Sequence, residues 1–421
     1  MRDYSKEKLG ISFLIIALFA SRCILASRAI ENHDLLSVAP WKLRYIAHRS
    51  GGPDGDRIFD FNGDGLLDVT TSFESGGDVY LFLHPGTENI DEEWPFVIVG
   101  HVPRGEDAFG MDVDDDGAVD VVSAHEGDTL GMYVHWAPSN PALILDQNEW
   151  QTELFPATHG KAWMYAIPLD VNQDGMIDIV IGAKDDYYNN RNAVGEVGWL
   201  EAPLGDKRNL ENWVYHTMDH AGWPMSIIAH DVDRDGDLDI LLTDRNSDEE
   251  HMGARWLENP GTAWAEEWKS HFFGGLEGSR PGFMSLGDLN RDGQIEYFFS
   301  LLTENYIAIL EQATTQLFPI VIEDNAELGS QKGVAVGDID LDGSLDVVVT
   351  FVGGNVGLGW MKYDVSPFLN DWTWQTIYSI QGGKFDQPIL YDVDQDGDLD
   401  ILTTEEKQGL GVIWFENPTI D

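Results

Sequence analysis

Seven times along the chain the same nine-residue cassette returns, D-x-[DN]-x-D-G-x-x-[DE]. It occupies residues 60–68, 112–120, 170–178, 231–239, 288–296, 338–346 and 392–400, and successive copies start 50 to 61 residues apart. A repeat of that length marks a solenoid or a ring of supersecondary units, because one such unit cannot bury its apolar face alone. Apolar runs flank the copies, as Ile227-Ile228-Ala229 before the fourth and Ile240-Leu241-Leu242 after it. Short apolar runs bounded by Asp and Gly read as strands, which makes each cassette a hairpin between two of them.

The cassette sets side-chain oxygens at positions 1, 3, 5 and 9 around one point, with glycine at 6 for the sharp turn. Hard oxygen donors in flexible number suit Ca²⁺, whereas Mg²⁺ keeps its waters and rarely uses a dedicated protein cage. The first two candidate ligand sets are Asp60, Asn62, Asp64, Asp68 and Asp112, Asp114, Asp116, Asp120. Next come Asp170, Asn172, Asp174, Asp178 and Asp231, Asp233, Asp235, Asp239. The last three are Asp288, Asn290, Asp292, Glu296, then Asp338, Asp340, Asp342, Asp346, then Asp392, Asp394, Asp396, Asp400. The loop opens like an EF-hand but lacks its twelfth-position Glu and the flanking helical periods. One Asp/Gly hairpin is commonly a solvated turn; seven with one internal spacing argue for up to seven bound Ca²⁺. Sites with Asn at position 3 carry one charge less and are expected to bind more weakly, and the site ending in Glu296 is the least regular.

Each cassette is followed by a strand, a polar loop and a second strand that often ends Trp-x-x-x-Pro, as at Trp199–Pro203, Trp256–Pro260 and Trp414–Pro418. A further tryptophan (Trp150, Trp213, Trp268, Trp374) opens another short strand. Four strands per repeat, seven times over, predict an all-β, seven-bladed β-propeller across residues 41–421. The last repeat stops at Pro418 after its third strand, while Trp41–Ala47 precedes the first repeat as an orphan fourth. Residues 41–47 are therefore predicted to complete the seventh blade and close the ring, leaving no free edge there.

The formal charge is −49, from 74 acidic and 25 basic residues. Seven Ca²⁺ would bring it to about −35; without metal, each carboxylate cluster repels itself at separations where Coulomb energies are large. Nucleic acid and anionic membrane surfaces are thereby disfavoured as partners. A hydrophobic share of 43% excludes a disordered chain. At the start, Arg2, Lys6 and Lys8 precede an apolar run from Leu9 to Ala20 and small residues around Ala26. That pattern reads as a signal peptide at 1–26 with a linker at 27–40, since the run falls short of the ~20 residues that span a bilayer. The expectation is a secreted, extracellular monomer with no membrane span once the signal is removed, an uncleaved anchor being the alternative. The single cysteine, Cys23, lies in that segment, so Ca²⁺ rather than cystine would crosslink the mature chain.

The cassette and the Trp-x-Glu-Asn-Pro endings together resemble the FG-GAP/VCBS repeat family over residues 41–418. The resemblance implies a propeller with calcium hairpins of the integrin α type, hence an adhesion or glycan-recognition role. The endings are also similar to those of carbohydrate-active members, such as the propeller of fungal aldos-2-ulose dehydratase and some polysaccharide lyases. The second domain of that dehydratase is not expected within these 421 residues, which puts its full chemistry outside the expectation.

Strands in a blade alternate in direction, so the cassettes share one face, and the loops after strand 2 and before strand 1 share the other. Counting past the cassettes, the first of these loop sets begins with Glu74, His125-Glu126, Lys184-Asp185, Asp244-Arg245, Thr303-Glu304, Val352-Gly353 and Glu405-Glu406. The second carries Arg104, Lys161, His220, Arg280, Lys332 and Lys384, with Trp163, Trp223 and Phe283 among them. Cations so scarce in the chain and so regularly placed predict a site for an anionic or polyhydroxylated carbohydrate, or for an extracellular protein. Taken singly, each charged residue is more simply explained by pairing with a neighbour. If the ligand is transformed, elimination or dehydration needs a base and an enolate stabiliser. His125, Lys184 and His220 are candidate bases, Arg245 and Arg280 candidate stabilisers, and Glu405 and Glu406 candidate proton relays. A non-enzymatic binding module would use the same ring without chemistry. Hydrolase nucleophile motifs, nucleotide-binding glycine loops and Cys-rich zinc sites do not occur in the sequence.

Overall fold

The computed structural model describes residues 40–185, 195–246, 252–261, 268–304, 306–312, 317–322, 328–369 and 371–420; the predicted signal peptide at 1–26 and nearly all of the predicted linker at 27–40 lie outside them. The described residues form seven four-stranded antiparallel sheets. Blades 1 to 6 are built in chain order, from Pro53–Phe59 through Phe96–His101 in blade 1 to Ser330–Gly337 through Trp372–Ser379 in blade 6. Blade 7 takes Ile389–Tyr391, Asp400–Glu405 and Gly411–Glu416 from one end of the chain and Lys42–Ala47 from the other.

The closing strand Lys42–Ala47 pairs antiparallel with Gly411–Glu416, Lys42 opposite Glu416 and Ala47 opposite Val412. Arg44 Nε donates to Glu416 at 2.7 Å, Lys42 pairs with the same carboxylate, and Arg44 reaches on to Asp91 of blade 1. Ring closure is thus held by a backbone ladder and an ion cluster that also ties blade 7 to blade 1.

Six of the seven second strands are buried from end to end, as in Asp68–Phe73 and Asp120–His125, and that of blade 6 up to its last residue, Val352. Each blade is sandwiched between two others, so both faces of its middle strands are covered, and runs such as Val347-Val348-Val349 replace alternation. The apolar clusters accordingly span neighbouring blades: Ile46, Ala47 and Trp414 of blade 7 pack with Val69 and Phe82 of blade 1. Trp150 and Trp213 stand just before their fourth strands and bond a carbonyl six residues back, Trp150 Nε1 to Ile144 and Trp213 Nε1 to Lys207. In blade 6 that role belongs to Trp372, which bonds Pro367; Trp374 lies two residues inside the strand instead of opening it.

The innermost strand of every blade from 1 to 6 slips register near the end remote from its cassette. The slips fall between Asp54 and Arg57, Gly105 and Asp107, Trp163 and Tyr165, Pro224 and Ser226, Pro281 and Met284, and Gln331 and Val334. In blade 7 the isolated bridge Phe385–Glu405 is likewise separated from the strand Ile389–Tyr391. A bulge inserts an unpaired residue and re-aims its side chain. Here the re-aimed residues face the ring axis.

Candidate functional site

On one face, every cassette joins the first and second strands of its blade, and its conformation repeats. Position 6 is glycine at φ between 84° and 106°, and position 4 is also left-handed, occupied by Gly63, Asp115, Gln173, Arg234, Arg291, Leu341 and Gln395. The turn is held by its own acids. In the first cassette Asp60 accepts from the N–H groups of Gly63, Asp64 and Gly65, and Asp64 accepts from Leu66.

Position 9 differs from the others in being buried and committed to the backbone. In all seven cassettes its carboxylate accepts from the N–H of position 2, as Asp68 from Phe61 at 2.9 Å and Asp178 from Val171 at 3.0 Å. In five, the other oxygen accepts from the residue just before a proline, namely His84, Ala137, Ala202, Asn259 or Asn417, each at 2.8 Å. Proline holds its predecessor extended, so the proline of the Trp-x-x-x-Pro endings fixes an N–H to clamp the hairpin onto strand 3. Blades 5 and 6 lack that proline, and the corresponding oxygens, Glu296 Oε1 and Asp346 Oδ1, are buried without a partner among the described residues.

The donor set fits a hard cation. Carboxylate oxygens of positions 1, 3 and 9 lie within 4.8 Å of one another in the four cassettes that carry Asp at position 3. Asp231, Asp338 and Asp392, all at position 1, each keep a buried oxygen without a partner among the described residues. Burial, with neighbouring cassette acids adding to it, raises the position-9 carboxyls to about 6 at Asp68 and Asp239, about 7 at Asp120, Asp178, Glu296 and Asp346, and about 8 at Asp400.

The opposite face opens into a cavity of about 410 Å³ on the ring axis. Two tiers of side chains line it. The lower tier comes from the bulges: Asp56, Glu106, Met164, Met225, Phe283, Lys332 and, in blade 7, Asp386. The upper tier comes from the sixth residue past position 9 of each cassette: Glu74, Glu126, Lys184, Arg245, Leu302 and Val352, with Glu406 of blade 7 bonded to the lining. Residues one position earlier, such as His125, Asp244 and Glu405, point into the blades, as the period of two requires.

The walls differ in polarity. Blades 7, 1 and 2 present acids. Burial and then the neighbouring Asp386 carboxylate raise the carboxyls of Asp54 and Asp56 well above the usual range, and Asp56 Oδ2 has no partner. Burial raises Glu106 to about 7 even though Lys184 donates to it at 3.2 Å. Burial also acts on Asp386, but the ammonium of Lys332, 2.9 Å away, and a hydrogen bond from Asp54 hold it low. Lys332 and Lys384 both donate to Glu406.

Blades 3 to 5 supply Met164, Trp223, Met225 and Phe283 together with Lys184 and Arg245. The ring of Trp223 is flanked by Lys184 Nζ at 4.5 Å from its centre and by the Arg245 guanidinium at 4.1 Å. Lys184 is neutralised by Glu106 and Glu126. Among the described residues, no carboxylate or hydrogen-bond acceptor reaches the guanidinium of Arg245, which burial makes easier to deprotonate than usual.

Of the residues singled out in the sequence, the cavity brings together Glu74, Glu126, Lys184, Trp223, Arg245, Phe283, Lys332, Val352 and Lys384, with Glu406 bonded to two of the lysines. It does not include the others. His125 is buried in blade 2, bonded to Ser123 Oγ at 2.7 Å and facing the Pro103 carbonyl. Asp244 accepts from the N–H groups of Gly222 and Trp223, and Glu405 from those of Lys384, Lys407, Gln408 and Leu410. Trp163 is a core residue bonded to the Thr158 carbonyl. Lys161 pairs with Glu196 and Arg104 with Glu74, His220 is exposed, and Arg280 donates to the Arg245 carbonyl at 3.2 Å. The sequence patterns do not single out Asp54, Asp56, Arg57, Glu106, Tyr165 and Asp386, which stand at or beside the bulges of the innermost strands or, in blade 7, beside the isolated bridge.

The FG-GAP-like repeat family matches residues 170–242 and 231–299, which run from the cassette of blade 3 into blade 5. No curated protein sequence matches the chain. Among solved structures, an ancestral GH74 enzyme aligns over 89% of this chain at 12% identity with a TM-score of 0.50, and the chain spans 47% of that enzyme. YCF48 from Cyanidioschyzon merolae aligns over 90% of this chain and 99% of its own at 12% identity and a TM-score of 0.49. The Dos1 propeller does so over 83% and 75% at 11% identity and 0.48. At these identities the likeness concerns the fold alone. The chain is a seven-bladed β-propeller that carries FG-GAP-like repeats.

Proposed function

We propose that this propeller is an extracellular binding module, braced by Ca²⁺ in its cassettes, that takes an acidic carbohydrate into the cavity on the opposite face. The observation that carries the reading is the guanidinium of Arg245, stacked on Trp223 in the cavity wall and, among the described residues, without an acceptor, in a chain with 74 acidic residues. Half-buried in the wall of a concave site, that guanidinium would take a ligand carboxylate in bidentate fashion. The acids across the cavity, Asp54 and Asp56, whose carboxyls burial raises above the usual range, would bond hydroxyls of the ligand. Met225 and Phe283 offer apolar contact to a sugar face.

Ca²⁺ would be held by positions 1, 3, 5 and 9 of each cassette, the partnerless oxygens of Asp231, Asp338, Asp392, Asp346 and Glu296 supporting that assignment. The ion would supply the positive charge that lets these acids ionise together.

Titration calorimetry of galacturonate into the calcium-loaded protein tests the reading. Binding is expected, and Arg245→Gln should weaken it by about 10- to 150-fold, the worth of a hydrogen bond to a charged group. Equal affinity in the variant would overturn the reading.

Glu106 favours a second possibility, elimination on the same ligand. Its carboxyl, near neutrality and 3.2 Å from Lys184, suits a general base better than His125, which lies outside the cavity, or Lys184, which its two acids keep protonated. Ultraviolet-absorbing unsaturated products from a uronate substrate, abolished in Glu106→Gln, would support it; their absence leaves a binding module.

A further inference from the structure

The cavity has a floor. Arg57 of blade 1 donates through Nη1 to the hydroxyl of Tyr165 of blade 3 at 2.7 Å, and its guanidinium lies 3.8 Å from the centre of that ring. Blades 1 and 3 are not neighbours in a ring of seven, so this contact crosses the channel. The Tyr165 hydroxyl also stands 3.5 Å from Gln387 of blade 7, and its ring 6.3 Å from that of Phe283 of blade 5. A further carboxylate braces the bridge: Asp107 of blade 2 accepts from Arg57 Nη2 at 2.9 Å and from the backbone N–H of Ala166 at 3.1 Å. Arg57, Asp107 and the strand that bears Tyr165 are therefore locked to one another. The side chains that obstruct the axis come from blades 1, 3, 5 and 7.

Above this floor the walls come from all seven blades, and the 410 Å³ they enclose lies at the small end of the ~300–1,000 Å³ typical of ligand sites. A polymer bound through its interior needs a groove with two exits. Here the axial exit is blocked by a hydrogen-bonded plug, and the upper tier of side chains surrounds the mouth.

We propose that the cavity is a blind, end-on site, taking a free sugar acid or the acidic terminal residue of a chain and excluding the interior of a polymer. The proposal rests on the carbohydrate reading above. The carboxylate would lie on Arg245, the ring over the floor of Tyr165 and Phe283, and any remaining chain would leave through the mouth. With room for one or two rings, affinity should stop rising once the cavity is filled.

The test is a calorimetric series on the calcium-loaded protein with mono-, di- and hexagalacturonate, and with a hexamer capped at both ends by methyl groups. Expected is a change of no more than about threefold from dimer to hexamer, and a loss of at least about tenfold on capping, as filling and blocking of a closed pocket require. A monomer as tight as the dimer would identify a free sugar acid as sufficient; a much weaker monomer would identify the chain end. Affinity that climbs with every added ring, or that ignores the caps, overturns the end-on site and leaves the carbohydrate reading standing. Failure of every uronate to bind to protein that is folded by circular dichroism overturns the carbohydrate reading itself.

Discussion

A left-handed backbone at cassette position 4 is imposed on six non-glycine residues, among them Leu341 at φ 57°. For a side chain without a local hydrogen bond this conformation costs on the order of 1 kcal/mol. Asn tolerates it better, so Leu341→Asn should raise stability by roughly 0.5–1 kcal/mol in urea unfolding with Ca²⁺ present; a loss would contradict the assignment of strain. The glycine at position 6 was readable from the cassette, whereas position 4 was masked by its varied side chains and hinted at only by Gly63. The sequence also left two adjacent candidates on most loops. His125 or Glu126, Asp244 or Arg245, Glu405 or Glu406 cannot be told apart until strand phase is known, and phase sends the second of each pair to the cavity. The first of each pair has a structural task.

In blade 2 that task gives a pH signature. Burial lowers His125 to about 4 and His135 to about 3, with Ser123 bonded between them. Above the unfolded value of ~6.5 both states are neutral and nothing changes. As pH falls below it, the unfolded chain takes up protons that the folded one refuses, so each histidine removes about 1.4 kcal/mol per pH unit until its folded pKa is reached. Urea unfolding at pH 7.5 and 5.0 should therefore show a loss on acidification that is about 4 kcal/mol smaller in a His125→Gln/His135→Gln double variant. Equal losses in both proteins would remove the histidines from the account.

Among the elements, the strands and their order were legible because each blade presents apolar runs at a fixed offset from a cassette. The bulges were not, since a register slip depends on the partner strand and leaves no period of its own. Yet they supply the lower tier of the cavity, and polar residues such as Asp56 and Glu106 become intelligible only through them. The closing strand Lys42–Ala47 was readable by subtraction, as the one fourth strand missing from the last repeat. Deleting residues 41–47 exposes the edge of Gly411–Glu416 and uncovers Trp414, and should lower the melting temperature by more than about 10 °C for the whole molecule. An unchanged melting temperature, or fraying confined to blade 7, would contradict closure.

At the scale of the molecule the two faces divide the labour. The cassette face concentrates acids that would accommodate a cation, and its position-9 carboxylates also fasten strand 3, so the proposed metal would be coupled to the fold. Chelation should lower the melting temperature by more than about 10 °C and added Ca²⁺ should restore it, since each filled site at a hundredfold excess over its Kd contributes about 2.7 kcal/mol. Indifference to chelator would leave the cassettes as self-bonded turns. The seven-fold ring could be counted in the sequence, but the floor could not. Arg57 and Tyr165 are 108 residues apart, and nothing local to either announces a contact across the axis.

The central claim is that an acid group of the ligand sits on Arg245, in the upper tier of the closed cavity on the opposite face. A crystal structure of the calcium-loaded protein soaked with galacturonate measures this most directly. The account predicts the sugar in the cavity, its carboxylate within about 3 Å of two guanidinium nitrogens of Arg245 and Trp223 still stacked behind them. Sugar density elsewhere on the propeller, or a ligand in the cavity with its carboxylate turned away from Arg245, would contradict it.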